Sequence, residues 1–79
     1  MELTNEIILK IDDLLFDWAF LAVYLDRIVK TEDKISNQYA NDDILLEYYN
    51  GIKDGKSSSQ MREICLPKYI RRELNKNNQ

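Results

Sequence analysis

The side chains that come nearest to a catalytic or metal-binding pattern are four aspartates in the first third of the sequence: Asp12, Asp13, Asp17 and Asp26. Asp13 and Asp17 are four residues apart, so both carboxylates fall on one face of a helix. Carboxylates alone suit hard cations, but the chain contains no histidine to complete a mixed ligand set. We interpret these residues as solvated helix side chains and expect no metal site.

The other reactive side chains lack a base that could activate them. Cys65 is the single cysteine, and three serines occupy residues 57–59. A thiol or hydroxyl nucleophile needs a neighbouring general base, most often histidine. We therefore interpret Cys65 as a buried structural thiol and the serines as a helix cap. The sequence indicates a protein that is not an enzyme and uses no cofactor.

A long N-terminal helix is the clearest element in the sequence. Within residues 3–30, apolar residues recur in alternating steps of four and three and form one seam: Ile7, Ile11, Leu14, Trp18, Leu21, Leu25 and Ile28. This spacing predicts an amphipathic helix over about 3–30. Thr4 or Asn5 suits its N-cap, and Glu6 suits the positive end of the helix dipole.

Shorter helices are expected after residues 31–41, which we interpret as a loop, either without regular structure or with one irregular turn. Asn41 or Asp42 caps the first of them, and Gly55 is placed to end it in the left-handed conformation. Ser57 and Gln60 match the capping-box pattern, and Pro67 is expected to end one helix and begin the next. The predicted bounds are 42–54, 58–66 and 67–76, followed by a frayed tail at 77–79. The fold class is all-α, a small bundle of three to four helices in a single domain over residues 1–79.

The long helix has a second apolar face. Phe16, Phe20 and Val23 lie nearly opposite the seam together with Leu9, and Tyr24 is adjacent. A chain of 79 residues has a thin core, and a few short helices do not easily cover both faces of one long helix. One interpretation is that the later helices wrap around and bury this face. The other is an interface for a second copy of the chain or for another protein, with Asp13 and Asp17 at its rim.

The charge is distributed unevenly along the chain. The net charge is −3, with four Lys/Arg against eleven Asp/Glu in residues 1–52 and seven against three in residues 53–79. Residues 57–74 have a helix–short turn–helix outline that resembles DNA-binding regulators, and five basic residues are candidates for nucleic-acid contact: Arg62, Lys68, Arg71, Arg72 and Lys76. The turn lacks the usual glycine and is short. The alternative is a solvated basic face that compensates the acidic first helix.

The sequence favours a non-catalytic, cytoplasmic interaction protein. The first six residues lack the positive region of a secretory signal, and the most apolar run, residues 14–25, is too short to cross a bilayer. We expect a homodimer or a protein partner, which the chain would inhibit, neutralise or adapt. The alternative is a small dimeric DNA-binding regulator that uses the basic C-terminal segment.

Overall fold

Four helices make up the part of the chain that the structure, a computed structural model, describes, residues 4–76. They are α1 (Asn5–Lys30), α2 (Asn37–Ala40), α3 (Asp43–Lys53) and α4 (Ser58–Lys76). No strand occurs within those residues, and the predicted all-α bundle on a long N-terminal helix is confirmed. The predicted helix start at residue 3 and the frayed tail at 77–79 lie outside the described residues.

The first helix sets the length of the molecule. Thr4 caps it by accepting a hydrogen bond from the backbone N–H of Ile7 at 3.2 Å. Acidic Glu6 lies in its first turn and basic Arg27 and Lys30 in its last turn, and both placements favour the helix dipole. With 26 residues α1 is about 39 Å long, close to the 42 Å longest dimension of the molecule.

The core lies where α1, α3 and α4 meet. Its ten buried side chains are Leu14, Trp18, Leu25 and Ile28 of α1, Leu45, Tyr48 and Tyr49 of α3, and Met61, Cys65 and Tyr69 of α4. Trp18 is central, because its ring meets Tyr48 edge-on and Tyr69 at a tilt, each with centroids 5.4 Å apart. Edge-to-face geometry suits the charge distribution of aromatic rings. Within α1 the buried positions run only from residue 14 to residue 28, so the other helices cover its C-terminal two thirds best.

Helix caps fix where α3 and α4 begin. The Asp42 carboxylate accepts hydrogen bonds from the backbone N–H groups of Ile44 and Leu45 at 3.0 and 3.2 Å. The predicted capping box is confirmed, since the Gln60 N–H donates to the Ser57 hydroxyl and the Ser57 N–H donates to the Gln60 side chain. Gly55, with φ of 96°, adopts the expected left-handed conformation after α3.

The prediction that Pro67 ends one helix and starts another is wrong. One helix, α4, runs through Pro67, which lies in its interior. Proline cannot donate to the carbonyl of Glu63, but both residues are exposed, so water can satisfy that carbonyl. The side of α4 opposite Pro67 stays buried. It carries three side chains spaced four residues apart, Met61 and Cys65 before the proline and Tyr69 after it. The packing of these three side chains against the other helices thus outweighs the free-energy cost of a proline inside α4.

Candidate functional site

The outer face of α1 is the most exposed apolar surface that the structure describes. Six of the seven exposed large apolar side chains in residues 4–76 lie on this helix, and the seventh is Ile64 of α4. Four of the six form what we call the outer strip: Leu9, Phe16, Phe20 and Val23, which are 64%, 71%, 75% and 60% exposed. The later helices therefore leave this face uncovered, and the interpretation that they bury it is wrong.

A groove between α1 and α4 continues the outer strip. Its volume is about 380 Å³, with Trp18 and Tyr48 among the residues that line it. The α1 wall contains Val23, which also belongs to the outer strip, so the apolar surface passes from the strip into the groove without a break. The remaining lining residues are Leu15, Ala19, Ala22, Asp26, Ser58, Ser59, Arg62 and Leu66.

The polar end of the groove joins three helices. The Asp26 carboxylate accepts hydrogen bonds from the Tyr48 hydroxyl at 2.8 Å and from the Ser58 hydroxyl at 3.1 Å. Burial, together with the neighbouring Asp26 carboxylate, raises the pKa of Tyr48 to about 12, so the phenol keeps the proton that it donates. Because this cluster is satisfied internally, we assign it to holding the bundle together. The sequence analysis did not predict this cluster. The one feature that could have indicated it is the position of Asp26, directly after the buried Leu25.

Tyr24 is less available than the sequence predicts. It is half-buried, and its ring lies against that of Tyr39 in α2, with the centroids 5.1 Å apart. The short helix α2, a single turn of four residues, falls within residues 31–41, where the sequence predicts a loop with or without one irregular turn. Its tyrosine covers one edge of α1, so Tyr24 borders the outer strip without extending it.

Charged residues flank the outer strip. Asp13 and Asp17 are exposed along it, as expected, and Arg27 follows toward the C-terminal end of α1. Neither Asp13 nor Arg27 forms an ion pair with another described residue. Nor do any three His, Cys, Asp or Glu side chains of residues 4–76 gather in a group that could hold a metal ion. The rim therefore consists of charges whose side chains face solvent.

Three of the five candidate nucleic-acid residues are engaged in ion pairs. Lys68 lies 3.0 Å from Glu47, Arg72 lies 2.7 Å from Asp42, and Lys76 lies 3.1 Å from Glu73. The bond to Asp42 raises the pKa of Arg72 above its ordinary value. The basic residues thus compensate acidic residues of α3, of its N-cap and of α4, whereas the sequence suggested that they compensate α1.

The other two basic candidates do not share a surface. Arg62 and Arg71 are exposed, but they are nine residues apart on α4, which is about two and a half helical turns and puts them on opposite sides. The turn of the proposed helix-turn-helix outline is absent, because α4 is continuous through residues 65–67. The five residues consequently form no single basic face.

Cys65 is fully buried, as predicted. Burial, with a contribution from the Glu47 charge, raises the pKa of its thiol to about 11. A thiol that holds its proton this firmly is a poor nucleophile at neutral pH.

No helix within residues 4–76 combines the length and the apolar character needed to cross a membrane. Comparison with known protein families, with curated proteins and with solved structures finds no match to this chain.

Proposed function

We propose that this chain is a non-catalytic interaction protein that inhibits, neutralises or adapts a protein partner, and that the outer strip of α1 is a protein-binding surface. The observation that carries the proposal is the pair of phenylalanines at the centre of the strip, Phe16 and Phe20, which are 71% and 75% exposed. A reducing compartment such as the cytoplasm suits a chain whose single cysteine has no disulfide partner.

The size of the apolar surface supports this proposal. The four side chains of the outer strip are 60–75% exposed and together present on the order of 400 Å² of apolar surface. The largest apolar patch on a typical monomer covers about 300–600 Å² and is often functional. Water around such a patch is released when a partner covers it, which favours binding.

The composition of the surface has the usual anatomy of a protein interface. Aromatic side chains occupy the centre, and the charged residues Asp13, Asp17 and Arg27 lie around it. Large rings in the centre contribute most of the binding free energy, whereas rim charges chiefly steer the approach of the partner. Tyr24 contributes at the edge, since part of its surface already contacts Tyr39.

The nucleic-acid alternative has less support. Binding to a phosphate backbone needs several basic side chains on one accessible surface. Lys68, Arg72 and Lys76 lie within ion pairs, and Arg62 and Arg71 point to opposite sides of α4. We therefore propose the protein-binding role alone.

Photo-crosslinking tests the proposal directly. Phe20 is replaced by benzoylphenylalanine, which keeps an aromatic ring at the centre of the strip, and the variant is irradiated in the cells that produce it. The matched control carries the same residue at Asn50, which is exposed on α3, away from the strip. We expect a discrete adduct from position 20 and none from position 50, and its mass identifies the kind of partner. Absence of an adduct at position 20, or equal adducts at both positions, would overturn the proposal.

A further inference from the structure

We propose that the protein covering the outer strip is a second copy of this chain, packed with its α1 antiparallel to the first and with Phe20 at the twofold axis. This inference deepens the proposed function and rests on it, because it takes the strip to be a protein-binding surface. It follows from the order of charges along α1, from the size of the strip and from the position of the groove.

The order of charges along α1 is self-complementary. Asp13 and Arg27 lie seven residues before and seven residues after Phe20, so all three share one side of the helix. With Phe20 on a twofold axis and the helices antiparallel, Asp13 of one copy lies opposite Arg27 of the other, and the pair occurs twice. Neither residue has an ion pair within the described part of a single copy. An antiparallel dimer gives both of them a partner.

A parallel arrangement would oppose like charges. The first half of α1 carries exposed Asp12, Asp13 and Asp17, and its last turn carries Arg27 and Lys30. Parallel helices would put the acidic halves together and the basic ends together, which costs free energy on both sides. The charge pattern therefore selects the antiparallel orientation.

The shape of the surface also fits a second copy. A stable interface buries about 800 Å² on each partner, of which somewhat more than half is apolar, and the outer strip presents on the order of 400 Å² of apolar surface. In the antiparallel arrangement, Phe16 of one copy approaches Val23 of the other, since these residues lie four and three positions from the axis. Val23 borders the groove, which therefore has room to receive the ring. A twofold interface needs this kind of self-complementarity.

Charge reversal provides the test, with the association constant measured by sedimentation equilibrium. Asp13→Arg places a second positive charge opposite Arg27 of the other copy, and Arg27→Asp places a second negative charge opposite Asp13. We expect each variant to dissociate about 3- to 30-fold more readily than the wild type, as expected for two exposed pairs per dimer. The double variant restores both pairs, and an equimolar mixture of the two single variants forms mixed dimers that are tighter than either variant alone. Glu63→Arg, on the exposed side of α4, is the matched control and should leave association unchanged.

The outcomes separate this inference from the proposed function. A dimer that Phe20→Ser abolishes but charge reversal does not alter would overturn the antiparallel arrangement and leave the strip as a protein-binding surface. A chain that stays monomeric near 0.1 mM, with a crosslinked adduct at position 20 heavier than twice 9.4 kDa, would overturn the second copy and leave the proposed function. A monomer with no adduct would overturn both. Circular dichroism confirms that each variant is folded, and rescue by the double variant cannot arise from misfolding.

Discussion

The two faces of α1 consist of similar residues in opposite surroundings. Trp18 on the inner face is 3% exposed, whereas Phe16 and Phe20, two residues before and after it, are largely exposed. The difference depends on position around the helix, because α3 and α4 both pack on the side that carries Trp18. A helix that is apolar on both faces requires cover on both. Residues 4–76 supply cover for one face only, which is why we expect the other to bind a protein.

The charges of the two sides differ in the same way. On the side of α3 and α4, Arg72 pairs with Asp42 and lies over the ring of Tyr69, 5.5 Å from its centroid. On the outer face, Asp13 and Arg27 have no ion pair with a described residue. The inner side is thus satisfied within one chain, whereas the outer face combines apolar surface with unpaired charge.

The largest difference in stability between the two faces of α1 should appear when one aromatic ring on each face is truncated to alanine. Trp18→Ala removes the ring that contacts Tyr48 and Tyr69, so we expect the free energy of unfolding to fall by about 3–5 kcal/mol. Phe16→Ala removes a ring that lies mainly in water and should change it by about 0.5 kcal/mol or less. Urea denaturation provides both values, measured at a concentration low enough for the chain to be monomeric.

Equal losses in the two variants would contradict the comparison, because they would place Phe16 in the core of the isolated chain. At concentrations where the proposed dimer forms, Phe16→Ala should acquire a cost that depends on concentration. Trp18→Ala should keep its large cost at every concentration, since the loss occurs within a single chain.

The hydroxyl of Tyr48 should make the inner side sensitive to alkaline pH. Its pKa is raised from 10.0 to about 12 in the folded chain, chiefly by burial. The folded state therefore holds this proton more tightly than the unfolded state, and the resulting stability is complete below pH 10 and is lost as the pH rises through 12. Tyr48→Phe removes this dependence together with the hydrogen bond to Asp26, at a cost of about 1.5–3 kcal/mol at neutral pH.

The measurement is the free energy of unfolding at several pH values between 9 and 12. We expect Tyr48→Phe to lose less stability over this range than the wild type, although Tyr69 and Cys65, whose pKa values are also raised, still contribute. Tyr24→Phe serves as the control because it removes a phenol at the edge of the outer strip. The interpretation fails if Tyr48→Phe follows the wild-type curve.

Local patterns in the sequence predicted those features that depend on residues close to each other in the chain. The seam from Leu14 to Ile28, a cap at Asn41 or Asp42 and the Ser57–Gln60 capping box all arise within a few residues. All three are present in the structure, with the cap at Asp42. Pro67 is the exception, because its effect is decided by residues of α1 and α3 that pack on the far side of α4. A local rule has no access to such contacts.

The candidate surface was predictable in part for the same reason. Helical spacing places Phe16, Phe20 and Val23 on one face, and the structure leaves that face open. The partners of Tyr24, Lys68 and Arg72 were not predictable, since each is a residue distant in the sequence that the fold brings near: Tyr39, Glu47 and Asp42. The spacing within α1 therefore indicates what is exposed, but it does not indicate which charges and rings other helices will cover.

The smallest expected effect concerns the paired arginine of the inner side. Partial burial pushes the pKa of Asp42 upward, but the hydrogen bond from Arg72 and those from two backbone N–H groups outweigh it, so the pKa lies below its usual 3.8. The stability linked to this lowered pKa is present above pH 3.8 and is lost as the pH falls through the folded-state pKa. We expect Arg72→Met to lower the free energy of unfolding at neutral pH by about 0.5–1.5 kcal/mol and to flatten its decline in acid.

Acid titration of the unfolding free energy, followed at low protein concentration, measures this effect. The control on the outer face is Arg27→Met, which removes an arginine without an ion pair among the described residues. If the two faces differ as the structure indicates, only the first of these two variants changes the acid limb of the curve. Arg72 stabilises the ionised form of Asp42 within one chain, whereas Arg27 has no ion pair among the described residues. Equal flattening in both variants would mean that Arg27 also pairs within the monomer. The charge pairing between copies would then lose one of its two members, and the comparison between the faces would rest on the aromatic rings alone.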